Sequence, residues 1–346
     1  MIQIRKQILL LLMLGFFGVI QAQDIHYSMF DLAPIQLNAA NTGNFAGTFR
    51  IGGIYRGQWT GLNTNTGLTG TSNFKGFNTP SAYIDVPFTF SKKNPIRSWF
   101  GVGLSFLSDK AGMGGLSTMG GSLALAYHLG LGANGNTRIS IGARGGLAQQ
   151  RVDASVFSFE DGIITGNTSI DNNLASDAVS YADFSAGLQV THLASTWNVT
   201  AGFAANHISR PKYNFLGTDA QLPMGLVGNL TFNFNLGQKF LLRPMAFYQY
   251  MSRAQETNLQ ALFGIHFNDA KDVTFLVGGG YRLGDAAIGR IGLELKGLRF
   301  GFAYDFNLSS LSQTNGRAQA FEVGISYIAK LYKKPLIKEI LFCPRF

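Results

Sequence analysis

Apolar residues alternate with small or polar ones, with a period of two, in about fourteen short segments between Thr48 and Tyr327. In the clearest, Leu298, Phe300, Phe302, Tyr304, Phe306 and Leu308 share one face. Arg299, Gly301, Ala303, Asp305 and Asn307 share the other. A period of two marks a β-strand with one apolar face, and this length is what a tilted strand needs to cross a bilayer. The pattern predicts strands over 48–60, 81–91, 98–109, 117–131, 137–151, 182–192, 196–208, 225–236, 239–253, 259–268, 273–282, 287–296, 298–308 and 318–327, with the fourth and ninth alternating least cleanly.

Loop lengths sort by parity. Gly61–Pro80, Val152–Tyr181 and Ser209–Met224, after the first, fifth and seventh segments, are long. Leu193–Ser195, Gly237–Gln238 and Gly297, after even-numbered segments, are short. Outer-membrane barrels have short periplasmic turns and longer outer loops, whereas a soluble sandwich has no reason to sort loops this way. An even strand count then puts both barrel termini on the periplasmic side. Trp59 ends the first segment, and Trp99 and Trp197 begin the third and seventh, as expected of aromatic girdles at the membrane interfaces. The expected fold is an all-β, transmembrane, antiparallel outer-membrane β-barrel of about 14 strands.

Composition strengthens this reading. Only 14% of residues are charged, against roughly a quarter in soluble domains. Residues 1–22, with Arg5 and Lys6 ahead of an apolar run and Ala22 at its end, read as a cleaved secretory signal peptide. No later stretch approaches a membrane helix. Residues 23–47 form an N-terminal segment that folds into the barrel or lies across its periplasmic mouth, with Tyr27, Phe30 and Leu37 as reasons to expect order. The barrel occupies 48–328, and 329–346 is a basic periplasmic tail. The single cysteine, Cys343, excludes an internal disulfide framework.

Candidate chemistry is sparse. His26, His128, His192, His207 and His266 form no pair at metal-ligand spacing, and no cofactor is implied. His207-Ile208-Ser209 could suggest an outer-membrane hydrolase, but a nucleophile needs a base and an orienting group converging on it. Gly278-Gly279-Gly280 has no helix after it and reads as strand interior, not a phosphate loop. The net charge of +9 is scattered among turns and tail, which argues against nucleic acid. Arg138, Arg144, Arg290, Glu294, Arg299, Asp305 and Glu322 fall on the predicted lumen face, with Glu294, Arg299, Asp305 and Glu322 as a charge cluster. Opposite signs on adjacent strands favour pairing inside the wall over an ion path. Gly, Ala and Ser dominate many inward positions, which suits a narrow or filled interior.

A series of phrases resembles one family. Gln23-Asp24-Ile25-His26-Tyr27-Ser28-Met29-Phe30 opens it. Leu37-Asn38-Ala39-Ala40-Asn41-Thr42-Gly43 is similar to the family's "LNPAyaG", with Ala39 in place of proline. Tyr55-Arg56-Gly57-Gln58-Trp59 is similar to its "YRdQW". Ser108-Asp109-Lys110-Ala111-Gly112, Ala126-Tyr127-His128, Ala182-Asp183-Phe184-Ser185-Ala186-Gly187, Tyr304-Asp305-Phe306-Asn307-Leu308-Ser309 and Cys343-Pro344-Arg345-Phe346 follow in order. The chain resembles the PorP/SprF family of outer-membrane proteins of Bacteroidota. The resemblance implies a non-enzymatic component of the type IX secretion system, supporting export or surface anchoring of a secreted cargo such as an adhesin, in some members with gliding motility. Implied partners are a cargo with a C-terminal targeting domain, periplasmic components of the system and outer-membrane lipids. Trp59, Phe74, Phe157, Phe159, Tyr213 and Phe215 are the candidate cargo contacts, by loop position and aromatic content. Lys333, Lys334, Lys338 and Arg345 are the candidate periplasmic contacts. The competing expectation is an outer-membrane channel or hydrophobic-solute transporter.

Overall fold

The computed structural model describes residues 26–59, 64–65, 71–72, 76–89, 98–111, 116–132, 135–152, 178–212, 221–268, 270–308 and 319–331. They form a closed antiparallel barrel of β1 (Phe49–Gln58), β2 (Phe77–Phe88), β3 (Ser98–Ala111), β4 (Leu116–Leu131), β5 (Thr137–Arg151), β6 (Ala178–Leu193), β7 (Trp197–Asn206), β8 (Gly225–Leu236), β9 (Phe240–Met251), β10 (Ala254–His266), β11 (Val273–Arg282), β12 (Ala286–Leu295), β13 (Leu298–Asn307) and β14 (Ala320–Ala329). Each strand pairs with its sequence neighbours. The ring closes where β1 pairs with β14, from Phe49↔Ala329 to Gln58↔Ala320. A short ribbon, Thr64–Asn65 with Thr71–Ser72, lies in the β1–β2 connection.

The alternation decides which side chains face where. Ile141 and Leu147 are 59% and 72% exposed on the outer wall, whereas Ser140 and Ala124 on the inner wall are buried. Closure leaves no unpaired edge, and the apolar outer wall is what lipid requires. The strand ends joined by the connections at 59–76, 152–177, 207–224 and 308–319 mark one end, the long-loop end. The turns at 194–196, 237–239 and 296–297 lie at the other, the short-turn end.

Three strand starts fall four or five residues ahead of the sequence expectation, those of β2, β6 (at Ala178) and β10. β2 begins at Phe77 and β10 at Ala254, so Pro80 is inside a strand rather than at the end of a loop. Proline has no N–H to give a ladder. The β2–β3 ladder accommodates this by pairing Asn78↔Lys110 and Ser81↔Leu107 with no pairs between. Pro244 in β9 is treated the same way: the β8–β9 ladder passes from Thr231↔Met245 to Phe234↔Leu242.

Residues 26–48 are not strand. Three short helical turns, Phe30–Leu32, Pro34–Leu37 and Ala39–Asn41, carry them through the lumen before Thr48 donates its amide to the Ala329 carbonyl beside the seam. Met29, Ile35 and Ala40 are fully buried.

A lumenal segment and its charge clusters

The N-terminal segment is gripped in three tiers. At the long-loop end, His26 lies 3.2 Å from Glu256, near the start of β10. Burial favours the neutral imidazole and lowers the His26 pKa, against the pull of Glu256. Ser28 is the hub of this tier. Its amide donates to Glu322 at 2.7 Å, and the Met29 amide donates to the other Glu322 oxygen at 2.7 Å. A hydroxyl has one proton; that of Ser28 goes to the Asp305 carboxylate at 2.8 Å. The Ser28 oxygen accepts from Arg282 at 2.5 Å and Arg56 at 3.2 Å. Both arginines also pair with Asp305 at 3.0 Å, and Arg56 with Glu322 at 2.5 Å. Gln260 donates to the Ser28 carbonyl at 2.6 Å. Charges this deeply buried persist only where opposite charges and hydrogen bonds surround them.

In the middle tier, Phe30 stacks on Phe247 at 5.3 Å and packs with Ala204, Val227, Met245 and Leu262. Met29 and Leu32 lie over Gly301 and Gly324, where any Cβ would strike them. Asp31 pairs with Arg290 at 2.6 Å and Arg299 at 2.9 Å. Burial alone would raise the Asp31 carboxyl, but Arg290 and Arg299 outweigh it and hold the acid well below the usual carboxylate range. Glu294 completes the tier, 3.1 Å from Arg299 and 2.9 Å from Arg243.

In the tier nearest the short turns, the Asn38 amide donates to the carbonyls of Leu188 and Phe203, on β6 and β7, at 3.1 and 3.2 Å. Ala39 and Ala40 press on Gly142. His128 meets the Thr42 carbonyl through Nε2 at 2.8 Å and the Ser140 hydroxyl through Nδ1 at 2.7 Å. A carbonyl can only accept, so Nε2 carries the proton and Nδ1 accepts from Ser140. Gly43 donates to Asp85 at 2.6 Å and accepts from the Trp99 indole at 2.9 Å. Gly43 also has φ +69°, and a Cβ there would meet the Gly101 backbone. Arg50 ties Asp85, at 2.7 Å, to the Asn41 carbonyl, and Arg138 reaches Asn44.

The predicted cluster of Glu294, Arg299, Asp305 and Glu322 is therefore split between two tiers, while Arg138 belongs to the tier nearest the short turns. Asp305 and Glu322 belong with Arg56 and Arg282; Glu294 and Arg299 belong with Asp31 and Arg243. Pairing does occur between adjacent strands, as in Glu294–Arg299, but the groups that join the tiers to the barrel axis are Ser28 and Asp31. Neither was singled out by the strand pattern, because a segment without periodicity carries no facing signal. Arg56 could have been found: it lies between Tyr55 and Gly57 on the same face as buried Ile54.

Trp99 departs from the girdle expectation. It shares the inward face with Gly101, stacks on His128 at 4.8 Å and lies under Arg138 at 4.5 Å. Trp197 packs against His192 at 5.4 Å. Trp59, just past β1, has φ 58° and meets Phe77 edge-on at 4.9 Å. Phe74, Phe157, Phe159, Tyr213 and Phe215, and Lys333, Lys334, Lys338 and Arg345, lie outside the described residues. His207 pairs with Asp183 at 2.9 Å, while Ser209 donates to the Ala182 carbonyl at 3.4 Å. What these tiers do chemically is hold a polypeptide in place.

The family model described as "Type IX secretion system membrane protein PorP/SprF" matches residues 19–327. No curated protein matches the chain. Among solved structures, the chain is similar to the TodX deltaS2S3 mutant monoaromatic hydrocarbon channel, at 12% identity and TM-score 0.50, covering 85% of this chain and 92% of that one. The toluene transporter TbuX of Ralstonia pickettii aligns at 10% identity and TM-score 0.49, covering 87% and 94%. The translocator domain of the autotransporter NalP of Neisseria meningitidis aligns at 9% identity and TM-score 0.41, covering 87% and 96%. At 12% identity the likeness to the TodX mutant shows a shared barrel fold alone.

Proposed function

Because the chain belongs to the PorP/SprF family of type IX secretion system membrane proteins, and is thus an outer-membrane component of that system, we propose that it supports export or surface anchoring of a secreted cargo protein without enzymatic chemistry. One observation carries this reading: the lumen is filled by the chain's own segment 26–48, held by charge clusters and close-fitting glycines. A barrel so filled acts through its mouths rather than as a conduit. In this reading the signal peptide 1–22 is removed and the long loops face the outside. Trp59, Phe74, Phe157, Phe159, Tyr213 and Phe215 stand toward the cargo, which carries a C-terminal targeting domain. The basic tail, with Lys333, Lys334, Lys338 and Arg345, meets the periplasmic apparatus by charge.

Affinity purification from native outer membranes in mild detergent, with mass spectrometry, tests the proposal. Co-purification of a large secreted protein with a C-terminal targeting domain is expected, and its loss when the 59–76, 152–177 and 207–224 connections are exchanged. A lone barrel, with cargo export unchanged in a deletion strain, would reject the proposal and favour a solute channel.

A further inference from the structure

We infer that the N-terminal segment enters the barrel from the long-loop mouth, so that the lumen is threaded from the face that bears the long loops. The direction follows from three contacts along one path. His26 meets Glu256, the third residue of β10, immediately after the turn at 252–253. Ser28 meets Arg56 and Asp305 near the ends of β1 and β13, and Glu322 near the start of β14. All of these lie at the long-loop end. Thr48 instead bonds Ala329, the last residue of β14, at the short-turn end. The segment thus runs the height of the barrel, opposite in direction to β1, which follows it.

Chain length forbids a return. From His26 back to Gln23, the first residue after the expected signal cleavage, three residues span at most about 11 Å. The apolar belt of such a barrel is about 25 Å tall. A chain that starts at Gln23 therefore cannot reach back to the short-turn mouth. Given the orientation of the proposed function, the mouth where His26 sits faces outside the cell, on the side offered to the cargo. Sequence parity alone suggested the opposite, because it placed the start of β1, and with it residues 23–47, on the periplasmic side.

Impermeant maleimide labelling of intact cells tests this in a Cys343→Ser background, with single cysteines at Gln23→Cys, Asn65→Cys in the β1–β2 connection and Gln238→Cys in the exposed β8–β9 turn. Gln23→Cys is expected to label to the level of Asn65→Cys, with Gln238→Cys labelled only after permeabilisation. If Gln23→Cys follows Gln238→Cys instead, the inference is overturned. Orientation is read separately: labelling of Gln238→Cys but not Asn65→Cys on intact cells would invert the membrane sidedness. Gln23→Cys following Asn65→Cys in that case would still support threading from the long-loop mouth.

Discussion

At the scale of single residues, the lumen is shaped by what its side chains lack. A Cβ on Gly142 would strike the Ala39 carbonyl and the Ala40 amide, whereas one on Gly121 would meet nothing. Gly142→Leu should therefore destabilise the folded barrel by about 1–3 kcal/mol through overpacking, and Gly121→Leu should leave it near wild type. Thermal unfolding in detergent distinguishes the two. Asp31 gives a second residue-level test. Its pKa lies below the unfolded value, so its contribution is complete above the ordinary carboxylate range of about 4 and is lost as pH falls further. Asp31→Asn should cost about 3–5 kcal/mol at neutral pH, because Arg290 and Arg299 lose a buried partner. It should also flatten the stability change below pH about 4, seen in unfolding curves across pH. His26 has the same sign higher up. Its pKa is lowered by burial, so its neutral form contributes fully above about 6.5 and progressively less as pH falls.

At the scale of elements, the strands were readable from their alternation because lipid outside and a packed lumen inside impose opposite demands on successive residues. β8 and β11 occupy the expected spans, and β4, among the least cleanly alternating, departs by one residue. The starts of β2, β6 and β10 were not readable. At β2, Thr79 and Pro80 look like loop residues, and only the neighbouring ladder shows that a strand can continue past a missing N–H. The segment 26–48 was recognisable as ordered from its aromatics, but its course was not, since its anchors sit on strands up to 294 positions away. Removing it defines its role. A barrel lacking residues 26–44 should conduct ions in planar bilayers, and the full chain should not. Should the deletion not fold, Asp31→Lys, which sets like charges against Arg290 and Arg299, should raise conductance instead. Equal conductance of the full chain and these variants would show that the segment does not obstruct the lumen.

At the scale of the whole molecule, the phrases that resemble the family acquire a physical meaning. Asn38 and Thr42, Arg56, His128 and Asp305 are spread along the chain, yet each is either part of the lumenal segment or one of its holders. A linear reading could recognise the phrases but could not see that they converge. The same convergence dictates an order of events during assembly. The wall surrounds the segment on all sides, and the β1–β14 seam joins residues as far apart in sequence as Phe49 and Ala329. A finished cylinder offers no route for a chain to be drawn along its axis and knit to so many buried charges. The precursor must be an open sheet with its leading end already lying across the concave face, and zipping the seam is then the last step, locking in what was laid down first. Pairing so remote in sequence is also the slowest to form, which leaves that leading end time to find its place.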